Sequence, residues 1–275
     1  MLNYNGTILS KNNVSLSPDN RGFKYGDGIF ETIKVEHDKV LFTEDHYFRL
    51  MASARMLRMQ LSMNFTLESF ENEILKLVRS LNLQNARVRF SVFRKEGGLY
   101  TPKNNEIDFL IEAKELDVII KDVYEVELYK DHYVYSGMLS TLKSNNRLIN
   151  VIASVFKTEN GYDNCILLNE KKQLAEVING NIFLINDNII KTPALTEGCI
   201  KGIIRKKLIE IIKKDTSLAI EETEISPFEL QKADEVFITN TIAGIQPITK
   251  YRRKEYKIEI STMLNKKLKA LALSS

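Results

Sequence analysis

Three separated segments carry residue types suited to amine–carbonyl chemistry on a phosphorylated cofactor. Lys143 stands in Ser140-Thr141-Leu142-Lys143-Ser144-Asn145-Asn146-Arg147-Leu148, at a predicted strand-to-helix transition from which a side chain can project into a cleft. A primary amine there can form a Schiff base with an aldehyde and then carry protons. Glu176, in Leu174-Ala175-Glu176-Val177-Ile178-Asn179-Gly180-Asn181-Ile182-Phe183, precedes a predicted strand. A carboxylate facing an aromatic ring nitrogen would keep the ring protonated and strengthen its pull on electrons. In Thr196-Glu197-Gly198-Cys199-Ile200-Lys201-Gly202-Ile203-Ile204-Arg205, glycines stand immediately before a predicted helix. Free N–H groups at such a start bind anions, and Arg49 and Thr241 could add side-chain donors.

Taken singly, each feature has an ordinary explanation. Lys143 is one of 39 cationic residues, and most lysines are solvated surface groups. Gly198 and Gly202 serve equally well to end a loop, Arg49 to dress an exposed helix face, and Thr241 to form a turn.

The elements that would position these residues follow from periodicity. Residues 6–9 and 29–35 alternate apolar and polar in the manner of strands, and residues 17–22 between them are turn chemistry. Helical spacing runs over 43–59, with Thr43 as the expected N-cap and Glu44-Asp45 in the first turn. It recurs over 66–81, capped by Thr66. Strands are expected at 86–93 and 106–113 around the glycine loop Glu96-Gly97-Gly98. Beyond residue 114 the pattern changes to strands near 118–120, 165–168, 182–185 and 235–239. Helices are predicted over 145–160, 201–214 and from 261. The expected fold is therefore α+β followed by α/β, with one domain over 1–117 and a larger one over 118–275.

Composition excludes several classes. With 275 residues, 44% hydrophobic, 12 glycines and 5 prolines, the chain suits a folded protein rather than a fibrous or disordered one. Its net charge of +3, spread along the chain, implies no nucleic-acid partner. The N-terminus lacks a basic start followed by an apolar run, and no stretch approaches the ~18 apolar residues of a membrane span, so a cytoplasmic location is expected. Cys165 and Cys199 lack metal-ligand spacing, and three histidines argue against a His-rich metal centre; no metal is expected.

In combination, these residues resemble the class IV aminotransferases, the fold-type IV pyridoxal-phosphate enzymes. Nearly the whole chain takes part, in the family's order: Arg21 to Thr32, His46 to Leu50, the Lys143 segment, Glu176 to Phe183, Thr192-Pro193, Gly198 to Arg205 and Asp234 to Pro247. The resemblance implies a two-domain fold like that of D-amino-acid aminotransferase, a small α+β domain and a larger barrel-like one, with pyridoxal 5'-phosphate between them. It implies that Lys143 is the Schiff-base lysine and proton shuttle, and that Glu176 is the partner of the pyridine nitrogen. Arg49, the amides of Ile203 and Ile204 and the Thr241 hydroxyl would form the phosphate cup. It further implies a homodimer acting on a small-molecule amine.

Within the family, three details resemble 4-amino-4-deoxychorismate lyase: Thr32 where branched-chain enzymes carry glycine, the Asn146-Arg147-Leu148 run, and Thr239-Asn240-Thr241-Ile242-Ala243-Gly244. Thr32 is accordingly a catalytic candidate and Phe30 a substrate contact. Arg94 could grip a substrate carboxylate bidentately, with Arg87 and Arg89 ranked below it. Transamination by a branched-chain or D-amino-acid enzyme is the alternative. A more distant one is a non-catalytic binding protein that uses the basic runs at 250–254 and 266–269.

Overall fold

The computed structural model describes residues 1–274. The chain divides into two compact units, one formed by Met1–Val118 with Lys143–Asn146, the other by Ile119–Leu142 with the chain from Arg147 onward.

In the first unit, β1 (Leu2–Tyr4), β2 (Thr7–Leu9), β3 (Gly28–Glu36), β4 (Lys39–Val40), β5 (Asn85–Arg94) and β6 (Ile107–Glu115) form one antiparallel sheet in the order β2-β1-β6-β5-β3-β4. Short helix α1 (Arg21–Tyr25) precedes β3, and α2 (Thr43–Met56) and α3 (Leu67–Ser80) pack on one sheet face. Pleating sends alternate residues of β3 to opposite sides. Ile29, Ile33 and Val35 therefore enter the core with Val88, Phe90, Val92 and Ile111, while Phe30, Thr32 and Lys34 point the other way. Helix α3 buries Phe70, Ile74, Leu77 and Val78, the one-face spacing of an amphipathic helix. Its Thr66 cap is in place, accepting the Ser69 N–H at 3.1 Å.

Thr43 does not cap α2. The cap position is Phe42, in the left-handed region at φ 55°, while the Thr43 hydroxyl donates to the Val40 carbonyl of the preceding turn at 2.7 Å. The 17–22 turn ends in α1, which begins because the Asn20 side chain accepts the Phe23 N–H.

The second unit holds β7 (Glu125–Val134), α4 (Leu148–Glu159), β8 (Asn164–Asn169), β9 (Leu174–Val177), β10 (Asn181–Asn186), β11 (Ile189–Pro193), α5 (Ile203–Ile212), β12 (Ala219–Thr223), α6 (Glu229–Lys232), β13 (Glu235–Asn240), β14 (Gly244–Ile248), β15 (Lys250–Tyr251), β16 (Lys254–Glu255) and α7 (Glu259–Ser274). Two five-stranded mixed sheets, β12-β11-β10-β13-β14 and β16-β15-β7-β8-β9, enclose a core that includes Leu128, Ile166, Leu184, Val236 and Tyr251. Residues 118–120 are not a strand; Val118, Ile119 and Ile120 are exposed, and the strand of this region is β7. Helix α4 starts at Leu148 rather than 145, because residues 143–145 are extended against β3. No helix among the described residues is long and apolar enough to cross a membrane.

Candidate active site

In the first unit the lysine segment completes the edge of β3. Strand β4 covers only Val35 and Glu36 on that edge, leaving the start of the strand open. There the Phe30 N–H donates to the Lys143 carbonyl at 2.9 Å and the Asn145 N–H to the Gly28 carbonyl at 2.9 Å, with Ser144 bridged to Ile29. Glycine at position 28 eases this approach, since a Cβ would stand 2.6 Å from Asn145 Nδ2 and 3.0 Å from the Val92 carbonyl.

The segment places Lys143 Nζ 4.6 Å from the centroid of the Phe30 ring, and the Arg89 guanidinium lies 3.6 Å from the same centroid. Arg89 sits opposite Thr32 in the ladder, so Phe30, Thr32 and Arg89 share one sheet face with the lysine. Arg89 Nε donates to Ser91 Oγ at 3.1 Å and Nη2 to Asn145 Oδ1 at 3.3 Å. Among the described residues no carboxylate lies within ion-pair distance of it. Burial lowers its pKa, opposed by the charge of Glu112. A half-buried guanidinium hydrogen-bonded only to neutral groups has the chemistry to receive an anion.

Arg94, the sequence's first choice for that task, is committed elsewhere. It lies on the core face of β5, 7% exposed. Its Nε and Nη2 donate to Asp27, Nη2 also to the Leu57 carbonyl, and Nη1 to Asn105 Oδ1 and the Arg58 carbonyl. All five N–H donors are spent on tying β5 to the end of α2 and to Asp27. Strand parity separates the two arginines: 88, 90, 92 and 94 face the core, whereas 87, 89 and 91 face the Phe30 side.

On the core face, Glu31 is 2% exposed and accepts Arg49 Nε at 2.8 Å, Arg49 Nη2, and His46 Nδ1 at 2.7 Å. Burial alone would raise the Glu31 pKa, but the Arg49 charge and the His46 and Arg49 hydrogen bonds outweigh it and hold the carboxyl at about 2. Burial lowers the pKa of His46, against the pull of Glu31. Arg49 is thus fixed by a buried carboxylate to which the sequence pattern alone assigns no role.

The second unit carries the other candidates. Glu176 on β9 is 3% exposed; its Oε2 accepts the Ile200 N–H at 2.9 Å, and Arg147 Nη1 stands 3.8 Å from Oε1. Ile203 and Ile204 open α5 behind Gly202, whose cap position has no side-chain acceptor. The first N–H groups of a helix have no carbonyl partner within it. Thr241 follows β13 in a turn held by Asn240 Oδ1, which accepts the N–H groups of Ile242 and Ala243.

A family model for class IV amino-transferases matches residues 28–251. The chain belongs to that family. It is 27% identical over 259 residues to a D-alanine aminotransferase of Listeria innocua, covering 89% of this chain and 85% of that protein. The fold is shared with a branched-chain aminotransferase of Thermoproteus uzoniensis (TM-score 0.89, 21% identity, 99% and 94% of the two chains). It is shared also with a Legionella pneumophila protein provisionally assigned as a 4-amino-4-deoxychorismate lyase (TM-score 0.85, 24% identity, 94% and 96%). As a member of this family the chain is a pyridoxal-phosphate enzyme with the fold-type IV architecture. Each unit carries donor types that such a cofactor would take: the first an amine on the Phe30 face, the second a buried carboxylate and the uncapped amides that open α5.

Proposed function

We propose that this enzyme is a 4-amino-4-deoxychorismate lyase, releasing pyruvate and 4-aminobenzoate. Thr32 supports the reading most directly: it puts a hydroxyl on the sheet face of Phe30, the ring beneath Lys143 Nζ. Pyridoxal phosphate, when bound, would supply the electron sink for chemistry at the substrate carbon that bears the amine. Lys143 Nζ removes the proton from that carbon. Arg89 holds a substrate carboxylate, and the Thr32 hydroxyl delivers a proton to the departing enol oxygen. Glu176 would match the charge of a protonated ring nitrogen, while Arg49, the amides of Ile203 and Ile204 and the Thr241 hydroxyl would hold the phosphate. Transamination is the second reading, favoured by the D-alanine and branched-chain aminotransferases among the relatives.

The same reading takes the enzyme as a cytoplasmic homodimer. The dimer is supported by Leu148, Val151 and Val155, an exposed apolar stripe on α4; light scattering is expected to give twice the chain mass of 31.7 kDa.

The deciding experiment incubates purified protein with 4-amino-4-deoxychorismate and, separately, with branched-chain or D-amino acids plus 2-oxoglutarate. Pyruvate and 4-aminobenzoate from the first, with no new keto acid from the second, are expected. Keto acid from the second alone would establish the transaminase instead. Borohydride should trap cofactor on Lys143 in either case, and a Lys143→Ala protein that still traps it would remove that lysine from its role.

A further inference from the structure

The backbone of Ile200 is gripped from both sides. Glu176 Oε2 accepts its N–H at 2.9 Å, and Asn181 Nδ2 donates to its carbonyl at 2.9 Å, as does the Gly202 N–H at 2.8 Å. Asn181 opens β10 and is 4% exposed. Its Oδ1 also lies so close to Gly202 that a Cβ there would meet it at 2.0 Å. Gly202 adopts φ −67°, which any residue can reach, so this close approach is what requires glycine.

One asparagine therefore touches the residue that binds the Glu176 carboxylate and the residue that caps α5. The turn beneath it is rigid: Val177 and Gly180 exchange backbone hydrogen bonds, Gly180 has no room for a Cβ against the Thr239 carbonyl, and Asn150 Nδ2 donates to the Ile178 carbonyl. Two side chains from the ends of that turn, Glu176 and Asn181, hold the same peptide segment.

We propose that Asn181 is a positioning residue that sets the spacing between the Glu176 carboxylate and the N-terminus of α5, and so the registry of ring nitrogen and phosphate in one cofactor. The inference rests on the cofactor roles assigned above to Glu176, Ile203 and Ile204. Asn181 touches no reacting atom in this account. It acts through Ile200 and Gly202.

The test reads the bound cofactor, not turnover. Cofactor-free wild type, Asn181→Ala, Gly202→Ala and the double variant are titrated with pyridoxal phosphate. The pH titration of the bound chromophore and the 31P resonance of the bound phosphate are recorded for each. Asn181→Ala is expected to weaken affinity on the order of 10-fold, as loss of an outer support does at bound metals, and to move both spectroscopic signals together. Gly202→Ala should show a similar loss by displacing the asparagine. The double variant should be no worse than either single one, because removing the asparagine side chain makes room for the new Cβ. If Asn181→Ala fails to fold, Gly202→Ala carries the same comparison. Thr66→Ala, which loosens the start of α3, is expected to lower the melting temperature without moving either signal. Wild-type affinity and spectra in Asn181→Ala would overturn the inference, as would losses that simply add in the double variant. Wild type that takes up no pyridoxal phosphate would overturn the cofactor assignment together with it.

Discussion

Replacing Glu31 with glutamine tests the buried pair behind the active-site strand. The carboxyl is held at about 2 against an ordinary 4.5 by Arg49 and His46. A depressed carboxylate pKa means that the unfolded chain binds the proton more readily, so the stabilisation is present above the unfolded value and is lost as pH falls towards 2. Each pH unit of separation corresponds to ~1.4 kcal/mol, giving about 3 kcal/mol at neutral pH. Loss of one partner from a buried pair costs a similar amount, roughly 3–5 kcal/mol, because the other charge remains buried; Arg49 is only 11% exposed. Urea unfolding followed by circular dichroism should therefore place Glu31→Gln about 3 kcal/mol below wild type at neutral pH, and by about pH 3.5 roughly half of that difference should have gone. The variant should also bind pyridoxal phosphate more weakly, since Arg49 loses its fixed orientation. A difference independent of pH, or Glu31→Gln matching wild type at neutral pH, would refute the electrostatic account of this pair.

Arg89→Ala and Arg94→Ala should separate binding from folding. The first is expected to raise KM roughly 10- to 100-fold for a carboxylate substrate, from loss of charge-assisted hydrogen bonds, with little change in melting temperature. The second should cost about 3 kcal/mol of stability, as a broken buried pair does, with KM unchanged; steady-state kinetics and thermal melts on both variants check this. Thr32→Gly is expected to slow pyruvate release on the order of 100-fold, the usual worth of one positioned proton donor, without altering cofactor affinity. Burial pushes the Cys165 thiol up to about 11 and the Cys199 thiol up to about 12. Both should resist a thiol reagent at mildly alkaline pH until the protein is unfolded in urea.

The sequence carried some features well because they are local. Helix α3 was legible from its cap and its single apolar face, and β3 from its alternation. The order of the separated motifs makes Lys143 and Glu176 candidates, which no local pattern does. The compact apolar run at 118–120 reads as a strand more readily than β7 does, although Val126 and Leu128 supply the alternation that buries one face of β7. The choice between Arg89 and Arg94 was not legible from residue type, since both lie on one strand. Parity along β5 against the core pattern Val88, Phe90, Val92 was the signal that could have decided it. Glu31 gave no local sign of its partners, which come from a helix that begins twelve residues later in the chain. The edge pairing of residues 143–145 was hidden for a related reason: a stretch so short has no periodicity, and its partner strand lies more than a hundred residues upstream.

That pairing bears on how the protein is made. Edge contacts of β3 with Lys143 and Asn145 are of very high sequence separation, and such contacts form late because a long loop must close first. On a ribosome the sheet of the first unit could assemble from residues 1–118, yet the open edge of β3 would wait until the 143–146 stretch had emerged. The two units are consequently not exchangeable modules. A gene fusion or split at residue 118 would leave each half compact and strip the sheet of its amine, so recombination between relatives would have to carry the four-residue stretch together with the strand it completes.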